Sequence, residues 1–500
     1  MKSSHPGTDP KLPSFQHPLL KEHRDDLERA YDAWHCLKGN GDDVKRKYLP
    51  PEPAEPPEAY QGRLGRAVFP DFFRAGLEGF AGVLSRSELK DPPPTFEANK
   101  DNVDLEGNSL EAFWLTVDPL CLRDGGVPII VEMPDGQPTD GASEAAARRR
   151  PYLVSRTRAT CLNWRTAVVG SVEVVTRCTF LEWAEVDSED GDFGVKYEER
   201  YRVIEPGKWT LYRLVKRADG SMVMDVVDEG QYLDSNQKPL TICPVVWYSA
   251  EKAGFGQGAL PLRQVVERCF QYFRNSSDLE EKTHKCAMPV PVEEGGLPPM
   301  PSQPVAPLVI GPNTVIRLQT GGKFYWSEPA ATSLAEQRAQ IKEVKELIDQ
   351  QLMGFLTGES KITKTATQSQ LEGGRTQVSI RAMSERKKSV MQSIFAIWCL
   401  YTGEQLAVGA GLTVDENAFA APLDSTAAKA LMDLAGGEPL ISQQSAVEML
   451  QVGGFNRITT SAEDEMERIN RERPMLGAPT PERDDVTTPL GEELLSEDED

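Results

Sequence analysis

LPLRQVVERCFQYFRNSSDLEEKTH, residues 260–284, and SLAEQRAQIKEVKELIDQQLMGFL, residues 333–356, decide the fold, because each sets an apolar stripe at helical spacing on an otherwise polar segment. In the first the stripe is Leu262, Val265, Val266, Cys269, Phe270 and Phe273; in the second it is Leu334, Ile341, Val344, Ile348, Leu352 and Phe355. At the rise of an α-helix each would run roughly 37 Å. Between them Ala287–Pro329 holds nine prolines, two expected short strands at Leu308–Ile310 and Thr314–Leu318, and the aromatic run Phe324-Tyr325-Trp326. Two matched helices thus bracket a small β-rich excursion.

Downstream, Thr357–Gln370 (TGESKITKTATQSQ) is polar, breaks the second helix at Gly358 and reads as an exposed loop re-entering a helix. That helix turns apolar at Ile380, Met383, Val390, Ile394, Ile397, Trp398 and Tyr401, and ends near Gly403. Beyond the extended piece TVDENAFAAPLDS, helices are expected at Thr426–Ala435, Ser442–Leu450 and Ala462–Glu472. Upstream, a Pro-punctuated arm leads to a helix from about Leu19 to Trp34 and a polyproline connection at residues 50–57. Phe69, Phe72, Phe73, Leu77, Phe80, Ala81 and Leu84 give a buried helix face, on which Gly76, Gly79 and Gly82 would admit a neighbouring backbone. A helix over Leu105–Leu122 and a buried strand at Val127–Val131 follow. From Tyr152 to Trp247 the period becomes strand-like, with Pro-Gly and Asp-Gly turns, so the fold class is α+β with an antiparallel sheet.

The 500 residues allow about three domains' worth of chain, and 39% hydrophobic with 26% charged residues excludes wholesale disorder. The longest apolar run, Ile394–Tyr401, is far short of a membrane span, and the N-terminus lacks a signal-peptide core, so a reducing cytoplasm is expected. Eight scattered Cys without C-x-x-C and five His without a paired spacing argue against metal and disulfide frameworks; no metal and no cofactor is expected. Net charge is −22, and Glu482–Asp500 carries nine acids against Arg483, the pattern of a solvated, disordered tail. Such a chain does not grip nucleic acid through a broad basic face. The one basic island is Lys361–Lys388, net +5.

Little in the sequence points to bond chemistry. Gly254, Gly256 and Gly258 after a strand imitate a dinucleotide fingerprint without its spacing, and a flexible hinge is the better account. Gly321-Gly322-Lys323-Phe324 lacks the glycine spacing and Ser/Thr of a phosphate-binding loop, while Glu198-Glu199 and Glu293-Glu294 read as solvated surface rather than glycosidase carboxylates.

The order of elements resembles the portal, or head-to-tail connector, of tailed bacteriophages over about residues 20–475. The stretches that carry the resemblance are HPLLKEHRDDLERAYDAWHCLKG, YQGRLGRAVFPDFFRAGLEGFAGVL, Val103–Gly107, Leu120–Gly125 before VPIIVEMP, and GGEPLISQQSAVEMLQVGGF with EDEMERINRER. The resemblance implies an N-terminal arm (1–18), an α/β wing (19–258), stem helices at 259–285 and 332–356, a clip (286–331), a channel loop (357–366), a connecting helix (367–403), a helical crown (404–475) and an acidic tail (476–500). It further implies no enzyme but a ring of about twelve copies at one capsid vertex of the virion, assembled in the host cytoplasm. The implied partners are other copies of itself, the major capsid protein, the terminase large subunit, tail adaptor proteins and, non-specifically, double-stranded DNA; no membrane is implied.

In that reading Thr357, Glu359, Ser360, Lys361 and Lys364 face DNA from the channel loop, and Phe324, Tyr325 and Trp326 of the clip meet terminase or adaptor. Leu262, Val266, Phe270, Phe273, Ile341, Val344, Ile348, Arg386, Lys387 and Lys388 pack between subunits, the three basic residues against acids of a neighbour. The bland alternatives are solvated loop lysines and aromatics packed within the clip. Another structural capsid or tail component, or a cytoplasmic hydrolase, are the competing functions.

Overall fold

The computed structural model describes residues 7–37, 42–53, 55–84, 87–134, 149–170, 172–187, 194–251, 254–286, 290–294, 321–327, 332–353, 366–414 and 467. The chain divides into two compact units, Met1–Glu416 and Asn417–Asp500, and the elements below belong to the first.

Helix α1, Pro18–Trp34, starts where Pro at its first position removes an amide that would have no partner and His17 accepts the amide of Leu19. It buries Leu20, Leu27, Ala30 and Ala33 on one side. Short helices α2 (Asp42–Tyr48) and α3 (Pro57–Arg66) precede α4 (Phe72–Leu84). Of the three glycines expected to sit at a close approach, Gly76 does, since a Cβ there would lie 3.0 Å from a Leu352 methyl; at Gly82 a Cβ would meet nothing within 4 Å. The neighbour at Gly76 is a side chain, not a backbone.

Strand β1 (Ser87–Lys90) and the four-residue helix α5 (Pro94–Glu97) lead to α6, Leu110–Asp124. The expected start at Leu105 is five residues too early. Asp104 accepts the amides of Glu106 and Asn108, folding a tight turn, and the helix begins only where Ser109 Oγ caps the Ala112 amide. Gly125 then ends it in the left-handed region, φ +78°.

Strand β2 (Gly126–Glu132) is buried along its whole length between β3 (Tyr152–Ser155) and β9 (Val245–Ser249), both antiparallel to it. A five-stranded antiparallel meander, β4 (Cys161–Val169), β5 (Val172–Asp187), β6 (Val195–Glu205), β7 (Lys208–Lys216) and β8 (Met222–Gln231), forms the second sheet. Together with α1–α6 these sheets are the α+β body that sequence patterning predicted.

Helix α7, Arg263–Cys286, leaves this body; β10 (Val290–Glu294) and β11 (Lys323–Ser327) pair antiparallel; helix α8, Thr332–Met353, returns. Helix α9, Ala366–Thr402, buries Met391, Ile394, Phe395 and Trp398 and ends at Gly403, φ +76°. The chain then adds β12 (Gly411–Val414) to β1. The strands expected at Leu308–Ile310 and Thr314–Leu318, the acidic tail and all but residue 467 of the helices expected beyond 425 lie outside the described residues.

Candidate functional site

The candidate site is the projection formed by α7, the β10–β11 hairpin and α8, and the joints that hold it to the body. Its seam is apolar first. Val265, Val266, Cys269, Phe270 and Phe273 of α7 are buried, with Phe270 stacked on Tyr48 at 4.0 Å and Phe69 wedged 5.3 Å from Phe270 and 5.5 Å from Phe273. On α8, Leu334, Val344, Ile348 and Leu352 are buried. The stripe residues thus pack inside one copy of the chain, Leu262 and Ile341 being half-buried at its margin. Val266, Phe270, Phe273, Val344 and Ile348, expected to pack between subunits, are already buried within a single copy, where Phe69 reaches both phenylalanines.

Charge pairs flank that seam. Arg263 meets Asp26 at 3.0 Å and Glu267 meets Arg29 at 2.6 Å on α1; further along, Asp278 lies 3.6 Å from Arg63 and Glu281 pairs with Arg66 of α3. Arg63 is itself buried, with a two-pronged grip on Glu55 at 2.9 and 2.7 Å and a bond to the Pro50 carbonyl. One turn of helix separates the members of each set, so the pairs fix the rotation of α7 about its axis.

The glycine loop before α7 is held, not free. Arg158, fully buried, donates to the carbonyls of Asp124 (3.0 Å), Gly258 (2.7 Å) and Gly256 (3.2 Å). Gly256 sits at φ +69° against the Trp164 ring, where a Cβ would come within 2.3 Å of ring atoms. The expectation of a flexible hinge is corrected: the glycines are there for close approach and left-handed backbone, and an arginine fork closes the joint.

The joint to α9 is a buried polar knot. Lys387 Nζ lies 2.7 Å from Asp118 Oδ2 and 3.0 Å from the Leu84 carbonyl, and 4.5 Å over the Trp114 ring. Tyr248 donates to Asp118 Oδ1 at 2.8 Å. Burial pushes the Asp118 carboxyl up and the Lys387 ammonium down, and each pulls the other back toward its charged form. Arg386 donates to the Ala250 carbonyl and Lys388 pairs with Glu385 at 2.8 Å. The basic trio expected to reach a neighbouring subunit therefore finds its partners in its own chain, Lys387 most completely.

At the hairpin, Glu293↔Phe324 and Val292↔Tyr325 are directly opposed. Tyr325 is exposed and donates to Glu294 at 2.9 Å, which holds its phenol above the usual range; Phe324 is half-buried. Trp326 lies on the same strand. The loop candidates Thr357, Glu359, Ser360, Lys361 and Lys364 lie outside the described residues. Sequence reasoning missed Asp118, Arg158 and Arg63, whose partners are remote in sequence. A groove of about 720 Å³ runs along the outer face of α7 past Arg263, Gln264, Glu267, Arg268, Gln271 and Arg274. Among the described residues no cluster of His, Cys, Asp or Glu could hold a metal, and no helix is long and apolar enough to cross a membrane.

The family model described as "Domain of unknown function (DUF4055)" matches residues 261–402, the span from α7 to the end of α9. None of the curated proteins matches the chain. Among solved structures, the chain is similar to one in "Virion of native gene transfer agent (GTA) particle", at 11% identity and TM-score 0.38, covering 82% of this chain and 98% of that one. It is also similar to chains in "Neck of empty GTA particle computed with C6 symmetry" (10%, TM-score 0.40, 81% and 97%) and "Neck of native GTA particle computed with C12 symmetry" (11%, TM-score 0.38, 82% and 98%). Likenesses this distant carry no argument about what this chain does.

Proposed function

We propose that the chain is a portal subunit: about twelve copies close into a ring at one vertex of a phage-type capsid, conduct double-stranded DNA, and dock first a packaging motor and then tail adaptors. One observation carries this reading. From α7 to α9 the chain runs long helix, hairpin, antiparallel long helix, lysine-bearing segment, long helix, and both ends of that run are locked to the α+β body by Arg158 and Lys387. A rigid body with a projecting helical arm is what a ring needs to build a wide wing around a narrower stem.

The charge agrees with conduction rather than capture. At −22 per copy the assembly repels phosphate, so DNA slides without adhering, and Lys361 and Lys364 supply the weak transient contacts. The exposed Tyr325 on β11 offers an aromatic anchor to motor or adaptor. The role asks for no bond chemistry of this chain. Quantitative mass spectrometry of intact particles tests the proposal: about twelve copies per particle supports it, and a copy number many times larger makes the chain a shell or tail-tube component instead.

A further inference from the structure

The outer face of α7 carries basic residues at the heights of acidic residues on one flank of α8. On α7 the face turned away from the buried stripe presents Arg268, Arg274 and Lys282. None of the three has an ion-pair partner within 4.0 Å among the described residues, although Arg263 and Glu267 beside them are paired. On α8 the exposed surface splits by helical angle into a basic flank, Arg338, Lys342 and Lys345, and an acidic flank, Glu336, Glu343 and Glu346. Among the described residues, Glu346 alone of the acidic three has an ion-pair partner, the 3.8 Å contact to Lys342.

Heights are read from the hairpin ends of the helices, Cys286 and Thr332, at about 1.5 Å per residue. Lys282 and Glu336 each stand roughly 6 Å along. Arg274 stands at roughly 18 Å and Glu343 at roughly 17 Å. Arg268, at roughly 27 Å, has Glu346 within a side chain's reach below it at roughly 21 Å. The two helices are antiparallel neighbours in one chain, so rotation about an axis along the stem carries α7 of one copy beside α8 of the next without changing these levels.

We infer that the α7 groove of one copy receives the acidic flank of α8 from a second copy, head to tail, with Lys282–Glu336, Arg274–Glu343 and Arg268–Glu346 as the contacts. This rests on the ring reading and adds to it the surface, the polarity and the register. Because donor and acceptor faces are different surfaces, the contact is heterologous and propagates until it closes, where a self-complementary contact would stop at a dimer. Complementary charge of this kind sets partner choice and register more than bulk affinity.

The test uses the full chain, with Arg274→Glu, Glu343→Arg and the double reversal compared by native mass spectrometry and sedimentation at moderate salt, thermal melting serving as the check on folding. Each single reversal is expected to raise the protein concentration needed for assembly several-fold, and the double to bring it back. In parallel, Arg274→Cys/Glu343→Cys under mild oxidation is expected to give a ladder of linked multimers that neither single cysteine gives. Rings that assemble normally in both single reversals, with no ladder, overturn the proposed register and leave the ring reading standing. A native chain that stays monomeric at every protein and salt concentration overturns both.

Discussion

Lys387 of α9 and Asp118 of α6 form an ion pair of 2.7 Å with both side chains wholly buried, 269 residues apart in the chain. Pairs of this kind contribute little net stability against an apolar replacement, but losing one partner strands a charge. Lys387→Met is therefore expected to cost about 3–5 kcal/mol. Lys387→Met with Asp118→Asn recovers a large part, because Tyr248 keeps an acceptor. Urea denaturation followed by tryptophan fluorescence measures both; a single variant that costs under about 1 kcal/mol contradicts the knot.

Arg158→Lys tests the other joint. Lysine cannot span the carbonyls of Asp124, Gly256 and Gly258 from one planar fork. The expected loss is about 1–3 kcal/mol per carbonyl left buried without a donor, and amide exchange at residues 254–262 should quicken ahead of the rest of the body. Unchanged exchange in that segment would show that the loop is held by Trp164 packing alone.

Two glycines in one helix should respond oppositely. Gly82→Ala meets open space and is expected to stabilise by about 0.5–1 kcal/mol. Gly76→Ile drives a branched side chain into Leu352 and is expected to destabilise by about 1–3 kcal/mol. Equal effects of both on the denaturation midpoint would contradict the described packing of α4 on α8.

Glu205 gives a pH signature. Burial pushes its carboxyl up, but hydrogen bonds from Lys208 and Arg177, at 3.0 and 2.7 Å, outweigh it and hold the group below the usual range. A carboxyl depressed in the folded state contributes stability above its unfolded pKa and loses it as pH falls through the folded value. Glu205→Gln should therefore lower the melting temperature near neutral pH, and the difference from the native chain should vanish in acid. A difference that persists in acid refutes this assignment.

How much of this was legible in the sequence follows from the range of the interactions. The stripes of α7 and α8, the meander and the end of α9 at Gly403 are local periodicities and turn signals, and the structure has them near where they were expected. What covers a stripe is not a local property: Phe270 meets Tyr48 and Phe69, some two hundred residues upstream, so an apolar face that suggested a neighbouring subunit is satisfied within the chain. Lys387 sits in a run of basic residues expected to meet acids of a neighbouring subunit, and nothing within a few turns announces Asp118. The apolar spacing from Leu110 to Leu120 announces the helix but not where it begins, while the Asp104 turn that excludes Leu105 depends on side-chain hydrogen bonds to backbone amides.

Electron microscopy of the purified full chain, with end-on views classified by symmetry, tests the central claim most directly. The account predicts closed rings of about twelve copies around a central hole wide enough for duplex DNA, persisting across protein and salt concentrations near physiological values. Compact particles without a hole under all of those conditions would contradict it.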